Sequence, residues 1–214
     1  MKTGILFDLD GTLLDTLGDL TDSVNAMLRH YGCPERTVKE VRDFVGNGAR
    51  RLIALSLPGR EDDPDTEEAL AYYREYYQAH SQIKTKPYAG VCQALQRIAE
   101  KYPVAIVSNK PDSDTKALCA ENFPGIYARG ENGDCARKPA PDMLLKTMQA
   151  IGVEKCVYVG DSEVDILTAK NTGAPCLSVL WGFRDRDVLE QAGAICFCQS
   201  PEEMPTLIDR LAAK

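Results

Sequence analysis

The chain reads as an α/β protein, a doubly wound, Rossmann-like parallel sheet with an all-helical block inserted near its start. Three observations carry this reading. Short apolar runs bounded by Gly, Pro, Asn or Asp recur, and they are hydrophobic almost without alternation, as strands covered on both faces are. From Pro87 onward such runs alternate strictly with helical patterns, the order a parallel sheet requires. Between Asp15 and Lys86 the rhythm breaks, and only helical segments are found.

The elements follow in order. Thr3 to Phe7 is an apolar strand that ends on Asp8, Leu9, Asp10, Gly11 and Thr12. Helical patterns then cover Gly18 to His30, Thr37 to Val45, Ala49 to Leu57 and Asp65 to Gln82, with stops at Gly32 and Pro34 and at Pro58-Gly59. "TKPYAG", Thr85 to Gly90, is the return linker, because Pro87 holds Lys86 extended. These turns divide the chain into a core of residues 1–15 and 85–214 and a helical cap of residues 16–84. In the core, strands at Val104 to Val107, Ile126 to Ala128, Cys156 to Val159, Cys176 to Leu180 and Ala194 to Phe197 are interleaved with helices. Those helices run from Gly90 to Lys101, Asp112 to Glu121, Pro141 to Ile151, Val164 to Asn171 and Pro201 to Ala213.

At 214 residues, 44% hydrophobic and 27% charged, the chain can bury a sizeable core. Its formal charge of −7, with no basic run beyond Arg50-Arg51, gives no electrostatic footprint for nucleic acid or an anionic membrane. No apolar run approaches the roughly 20 residues of a membrane span. The first apolar stretch, Ile5 to Phe7, is too short for the hydrophobic region of a secretory signal. Of the eight cysteines, several sit inside apolar runs, where a thiol behaves as a small hydrophobe, and no C-x-x-C is present. The expectation is a reduced, cytoplasmic protein of undetermined oligomeric state.

The end of the first strand poses a question. Asp8 and Asp10 place two like charges side by side, and at roughly 5 Å with an effective dielectric of about 20 they repel by on the order of 3 kcal/mol. In doubly wound sheets ligands bind at the carboxyl ends of the strands. Those ends hold Asp8, Asp10 and Thr12, then Ser108, Asn109 and Lys110, then Lys138 in "RKPAPD", then Asp161 and Asp165 in "GDSEVD". Carboxylates gathered without Cys or His form the hard oxygen site that Mg²⁺ uses, and the cation together with Lys138 offsets the repulsion. The parts fit phosphoryl chemistry. Turn amides around Leu9 to Gly11, the Ser108 hydroxyl and Lys138 can hold phosphate oxygens, one of Asp8 and Asp10 attacking and the other protonating the leaving oxygen.

"DLDGTLLDT", "VSNK", "RKPAP" and "GDSEVD", in that order, resemble the four signature motifs of the haloacid dehalogenase superfamily, over nearly the whole chain and with a C1 helical cap after the first motif. The resemblance implies Asp8 as nucleophile and metal ligand, and Asp10 as general acid/base with its main-chain carbonyl on the metal. It implies Ser108, Asn109 and Lys138 on the transferred phosphoryl group. Asp161 is implied as a direct metal ligand, and Asp165 as holding a metal-bound water or Lys138. The true dehalogenases lack the second aspartate, which Asp10 supplies here. "FVGNGARRL" and "LWGFRDRD" look like the phosphoglycolate phosphatase branch, which implies Mg²⁺-dependent hydrolysis of a small phosphorylated metabolite, 2-phosphoglycolate, with Arg50 reaching the substrate from the cap. Pyrophosphatases, sugar-phosphate phosphatases and β-phosphoglucomutase-like phosphomutases have similar motifs. A receiver-type signalling domain shares the chemistry, but takes its aspartate from a middle strand and needs no helical insertion.

Plainer roles stand beside these. Asp15 and Thr16 can be a helix cap and hinge. Lys110 can neutralise the site's edge without touching phosphate, and Arg50 can be a solvated helix residue. His30 and His80 read as surface or structural groups, Trp181 and Phe183 as shaping a loop near the site or packing the last strand, and Tyr72, Tyr73, Tyr76 and Tyr77 as helix-spaced cap core.

Overall fold

A computed structural model describes residues 2–58 and 65–213; Gly59 of the expected Pro58-Gly59 stop lies outside them. The chain divides into two compact units, Met1–Leu14 with Pro87–Lys214, and Asp15–Lys86. Among the described residues no helix is long and apolar enough to cross a membrane.

The first unit is built on a six-stranded, all-parallel sheet. Its strands are β1 (Thr3–Phe7), β4 (Val104–Pro111), β5 (Tyr127–Glu131), β6 (Lys155–Gly160), β7 (Cys176–Val179) and β8 (Phe197–Cys198), in the spatial order β5-β4-β1-β6-β7-β8. β1 is central, with Ile5 opposite Val104 on one side and Phe7 opposite Val159 on the other. The chain builds outward from β1 in one direction through β4 and β5, then returns to build the other way from β6. That reversal leaves a crevice at the carboxyl ends of β1, β4 and β6.

Near-continuous hydrophobicity along these strands has a direct cause, since both faces are covered. Ile5, Phe7, Ile106, Val157 and Val159 face one way, against α5 (Val91–Ala99), α6 (Asp112–Asn122) and α10 (Met204–Ala212). Leu6, Ala105, Val107 and Tyr158 face the other way, against α7 (Asp142–Ala150) and α8 (Glu163–Thr172). A short helix not expected from the sequence, α9 (Arg186–Gln191), precedes β8. Six residues with three charges carry too little periodicity to be read in advance.

Among its described residues the second unit has four helices, α1 (Leu17–His30), α2 (Val38–Phe44), α3 (Ala49–Ser56) and α4 (Asp65–His80). Thr37 and Glu40 form a capping box on α2. The buried Asp19 carboxylate accepts the backbone N–H groups of Ile83, Lys84 and Thr85, at 3.1, 2.9 and 2.8 Å, tying the returning chain to α1. Of the four tyrosines, Tyr73 and Tyr77 are buried and stacked, whereas Tyr72 stacks on His30 and Tyr76 on His80. A two-stranded ribbon, β2 (Leu14–Asp15) with β3 (Lys86–Pro87), marks where the chain passes from one unit to the other.

Candidate active site

β1 ends at Phe7, yet its alternation continues. Leu9 joins Ile5 and Phe7 in one apolar cluster, so Asp8 and Asp10 keep the parity of Leu6. The Asp8 N–H donates to the Val159 carbonyl (2.8 Å), holding the chain beside β6. The turn then closes with Gly11, Leu13 and Leu14. Gly11 N donates to Leu14 O (2.9 Å), and Leu13 and Leu14 both donate to Leu9 O (3.0 Å). Gly11 lies at φ 84°, and a Cβ there would overlap the Asp161 carboxylate, so glycine is required twice over. Because Leu14 takes the Gly11 N–H, the amides of Leu9 and Asp10 are those left in this turn for an incoming oxygen.

Each of the two aspartates has its own lysine. Lys138 Nζ donates to Asp8 Oδ1 (2.8 Å), and Lys110 Nζ sits 3.1 Å from Asp10 Oδ2, both lysines being buried. The like-charge problem of the first strand is thus met by one ammonium per carboxylate. Asp10 Oδ1 is buried without any hydrogen-bond partner. A buried carboxylate oxygen left in that condition is costly unless something else approaches it.

Ser108, Asn109 and Lys110 fall at the end of β4. Ser108 is buried and its Oγ accepts from Lys110 N (3.2 Å), leaving its own proton uncommitted. The Asn109 side chain, expected on the phosphoryl group, has its amide on the Lys138 backbone. Its Nδ2 donates to the Lys138 carbonyl and its Oδ1 accepts from the Lys138 N–H, each at 2.9 Å. Both ends of the amide grip the Lys138 backbone, so Asn109 positions that lysine.

Lys138 is 2% exposed and donates three bonds of 2.8 Å, to Asp8 Oδ1, Asp165 Oδ1 and the Tyr158 hydroxyl. An ammonium has three N–H groups, so all are engaged, and a phosphoryl contact through Lys138 requires one of them to be released. Burial opposes charge on this ammonium, but Asp165 and Asp8 outweigh it and raise its pKa.

Asp161 follows β6, and Asp165 lies in the first turn of α8. Asp161 Oδ1 accepts the Thr12 hydroxyl (2.9 Å) and Oδ2 the Phe183 N–H (2.7 Å). Asp165 is more fully committed. Lys138 and Tyr158 share its Oδ1, while the Ser162 N–H (3.1 Å) and hydroxyl (2.6 Å) share its Oδ2. Gly160 and Gly182 make this closeness possible, since a Cβ at either would overlap Asp165 or Asp161. The Trp181 indole N–H donates to Thr12 O (3.0 Å), pinning the "LWGFRDRD" loop beside the turn.

Asp8, Asp161 and Asp165 offer oxygens within 4.8 Å of one another, all buried, with Lys138 the cation bonded among them. If all three are ionised, two negative charges remain unbalanced. Burial, reinforced by Asp165 and Asp161 and opposed by Lys138, pushes Asp8 well above the usual carboxylate range. Burial and then Asp165 push Asp161 up to about 7. An all-oxygen donor set with that excess charge fits a hard divalent cation. Asp8, through the oxygen Lys138 leaves, and Asp161 have capacity for it. Asp165 has its lone pairs filled by protein donors.

Arg50 belongs to the second unit, on α3, where it is exposed and its Nε donates to Glu67 (2.7 Å). Sequence reasoning placed Thr12 at the strand end but missed its bond to Asp161, and it missed Tyr158 and the Phe183 amide as parts of the site. Only Tyr158 carried a signal, a hydroxyl inside a strand buried on both faces, which must find a polar partner.

Comparison with known proteins agrees with this geometry. The sequence profile described as Haloacid dehalogenase-like hydrolase matches residues 5–179. "Phosphoglycolate phosphatase 1" of Pseudomonas aeruginosa is 36% identical over 200 residues, 88% of this chain and 73% of that one. "Phosphoglycolate phosphatase" of Xanthomonas campestris pv. campestris is 35% identical over 206 residues, 92% of this chain and 93% of that one. A crystal structure from Lactobacillus delbrueckii subsp. bulgaricus, provisionally named a phosphoglycolate phosphatase, superposes with a TM-score of 0.89 at 33% identity, covering 97% of this chain and 99% of that one.

Proposed function

Since the chain belongs to the haloacid dehalogenase-like hydrolases and is a phosphatase, we propose that it hydrolyses 2-phosphoglycolate, with Mg²⁺, through an aspartyl-phosphate on Asp8. The observation that carries this reading is the state of Asp8. One oxygen is fixed by Lys138 and the other is left open, inside a buried acidic cluster with charge to spare.

In this reading Asp8 attacks phosphorus, and the bond to the ester oxygen breaks. Asp10, whose Oδ1 has no partner in the protein, gives its proton to the departing alkoxide. Asp10 then takes a proton from the water that attacks the aspartyl-phosphate, releasing phosphate and regenerating the Asp8 carboxylate. The Ser108 hydroxyl, the Leu9 and Asp10 amides and Lys138 bind the phosphoryl oxygens, and Asn109 keeps Lys138 in place. Asp8, Asp161 and the Asp10 carbonyl would hold Mg²⁺, which would supply charge neutralisation for the transferring group. Asp165 holds Lys138 and, through it, Asp8.

The names of the relatives support a leaving group that carries a carboxylate. The core spends its donors on phosphate, so the second anion falls to the helical unit, which we read as a cap, and Arg50 is our candidate to meet it. Eight free cysteines support a reducing compartment, the cytoplasm. Phosphate release should be measured across 2-phosphoglycolate, ethyl phosphate, aryl phosphates, pyrophosphate and hexose 1-phosphates with Mg²⁺. The reading expects 2-phosphoglycolate to give the highest kcat/KM. A value no better than that of ethyl phosphate would overturn the substrate and leave the chemistry standing.

A further inference from the structure

Tyr158 is a buried titratable group to which the reaction above gives no role. It stands on β6, fully buried, with its ring in the apolar layer of Leu6, Val107 and Met143. Its hydroxyl accepts one of the three N–H groups of Lys138 at 2.8 Å. The other two go to Asp8 and Asp165 at the same distance. The hydroxyl's own proton has two acceptors, Asp165 Oδ1 (3.1 Å) and the Val107 carbonyl (3.3 Å). Burial, with the nearby charges of Asp165 and Asp8, raises the phenol's pKa well above its ordinary value, so it meets Lys138 as a neutral acceptor.

A lysine head is a point charge on a flexible four-carbon stem and has no preferred direction of its own. Two carboxylates alone leave it one degree of freedom, rotation about the line between them. A third acceptor removes it. The backbone of Lys138 is already fixed at both ends by Asn109. With Tyr158 the head is fixed as well, and with it the Asp8 oxygen that Lys138 holds.

We propose that Tyr158 is a positioning residue of the phosphatase site, the third anchor that sets the Lys138 ammonium and thereby aims Asp8. The proposal rests on the reading in which Asp8 is the nucleophile and Lys138 its partner. It assigns Tyr158 no contact with substrate.

Tyr158→Phe keeps the ring in the core and removes only the hydroxyl. Its kcat on p-nitrophenyl phosphate should fall about ten- to a hundredfold, with KM within about twofold of wild type, because the loss is felt in aiming the nucleophile rather than in binding. Loss should be equal on an alkyl and an aryl ester, since no leaving-group proton is involved. A double-mutant cycle separates positioning from scaffolding. On a Lys138→Met background, read by single turnover with enzyme in excess, Tyr158→Phe should cost nothing further. A fall that repeats in full on that background, or a kcat within about twofold of wild type in the single variant, overturns the proposal. If Tyr158→Phe does not fold, 3-fluorotyrosine and 3,5-difluorotyrosine at this position weaken the acceptor while keeping the ring. Then kcat should fall stepwise with fluorination, and an unchanged kcat overturns the proposal equally. Failure of the phosphatase reading itself is distinct. Wild type would release no phosphate from any ester, before any variant is made.

Discussion

Asp161 offers a test of the site's electrostatics that does not depend on turnover. Its carboxyl is buried and pushed up to about 7, because burial and then Asp165 disfavour its charge more than Phe183 N–H and Thr12 favour it. A carboxyl whose pKa is raised on folding favours the folded state fully only below its unfolded value near 3.8, and that advantage is lost as pH climbs through the folded value. Each pKa unit is about 1.4 kcal/mol. With the carboxyl raised from 3.8 to about 7, the penalty in metal-free protein is on the order of 1–2 kcal/mol at pH 5 and about 4 kcal/mol at pH 8. Asp161→Asn removes the charge and keeps the shape. Its amide oxygen can accept from Phe183 N–H, while its NH₂ faces the Thr12 hydroxyl, which can turn to accept. The variant should therefore be more stable than wild type by about 2–4 kcal/mol at pH 8 in EDTA, with a smaller gain at pH 5. Millimolar Mg²⁺ should stabilise wild type at pH 8 and move the variant far less, as expected when a ligand to the ion is gone. Urea denaturation at both pH values, with EDTA or Mg²⁺, reads all of this. A metal-free variant no more stable than wild type at pH 8 would refute the claim that the cluster carries unbalanced charge.

Three further outcomes follow from the same geometry. Chelation should abolish turnover, Mg²⁺ should restore it, and Asp8→Asn should lose activity by several orders of magnitude in phosphate release, nucleophile and ligand being lost together. Asp10→Asn should cost roughly 10²–10⁴-fold in kcat on an alkyl phosphate and clearly less on an activated aryl phosphate; equal losses would leave Asp10 a structural role alone. Arg50→Ala should lower kcat/KM for 2-phosphoglycolate about ten- to a hundredfold and spare an uncharged aryl phosphate. Because Arg50 is already paired with Glu67, an equal effect on both esters would place it in the helical scaffold.

Strand ends were the most legible part of the sequence, for a physical reason. A strand covered on both faces must be apolar throughout, so the first polar residue after Phe7, Val107 or Gly160 marks where the chain leaves the core and meets solvent or ligand. Asp8, Ser108 and Asp161 could be placed together on that ground alone. What could not be read was how they are paired. Lys110 on Asp10 and Asn109 on the Lys138 backbone depend on the register between β4, β1 and the loop before α7. No residue type reveals that register. The contacts of Thr12 and the Phe183 amide with Asp161 were hidden for another reason. They act through one hydroxyl and one backbone N–H, groups that nearly every segment possesses. The β8 strand was expected from Ala194 and is confined to Phe197–Cys198, at the sheet's edge, where Ile195 is 94% exposed and apolar content no longer implies burial.

The way the carboxylates are packed bears on why the site holds its charge at all. Free to move, Asp8, Asp161 and Asp165 would relieve their repulsion by swinging apart or drawing in water. Here each way out is closed by a different device. Asp165 is locked by Ser162 at the start of α8 and by Tyr158. Asp161 is wedged against Gly11 and Gly182, where not even a methyl group would fit. Asp8 is held by Lys138, which Asn109 fixes at the backbone. These are constraints of the folded core, formed by β-strand ends, a helix start and the turns packed against them. The repulsion is therefore stored, and it is released only by adding positive charge or by protonation. A site built in this way has its carboxylates already in place for a cation. Its glycines, more than its acids, are what forbid the carboxylates from escaping.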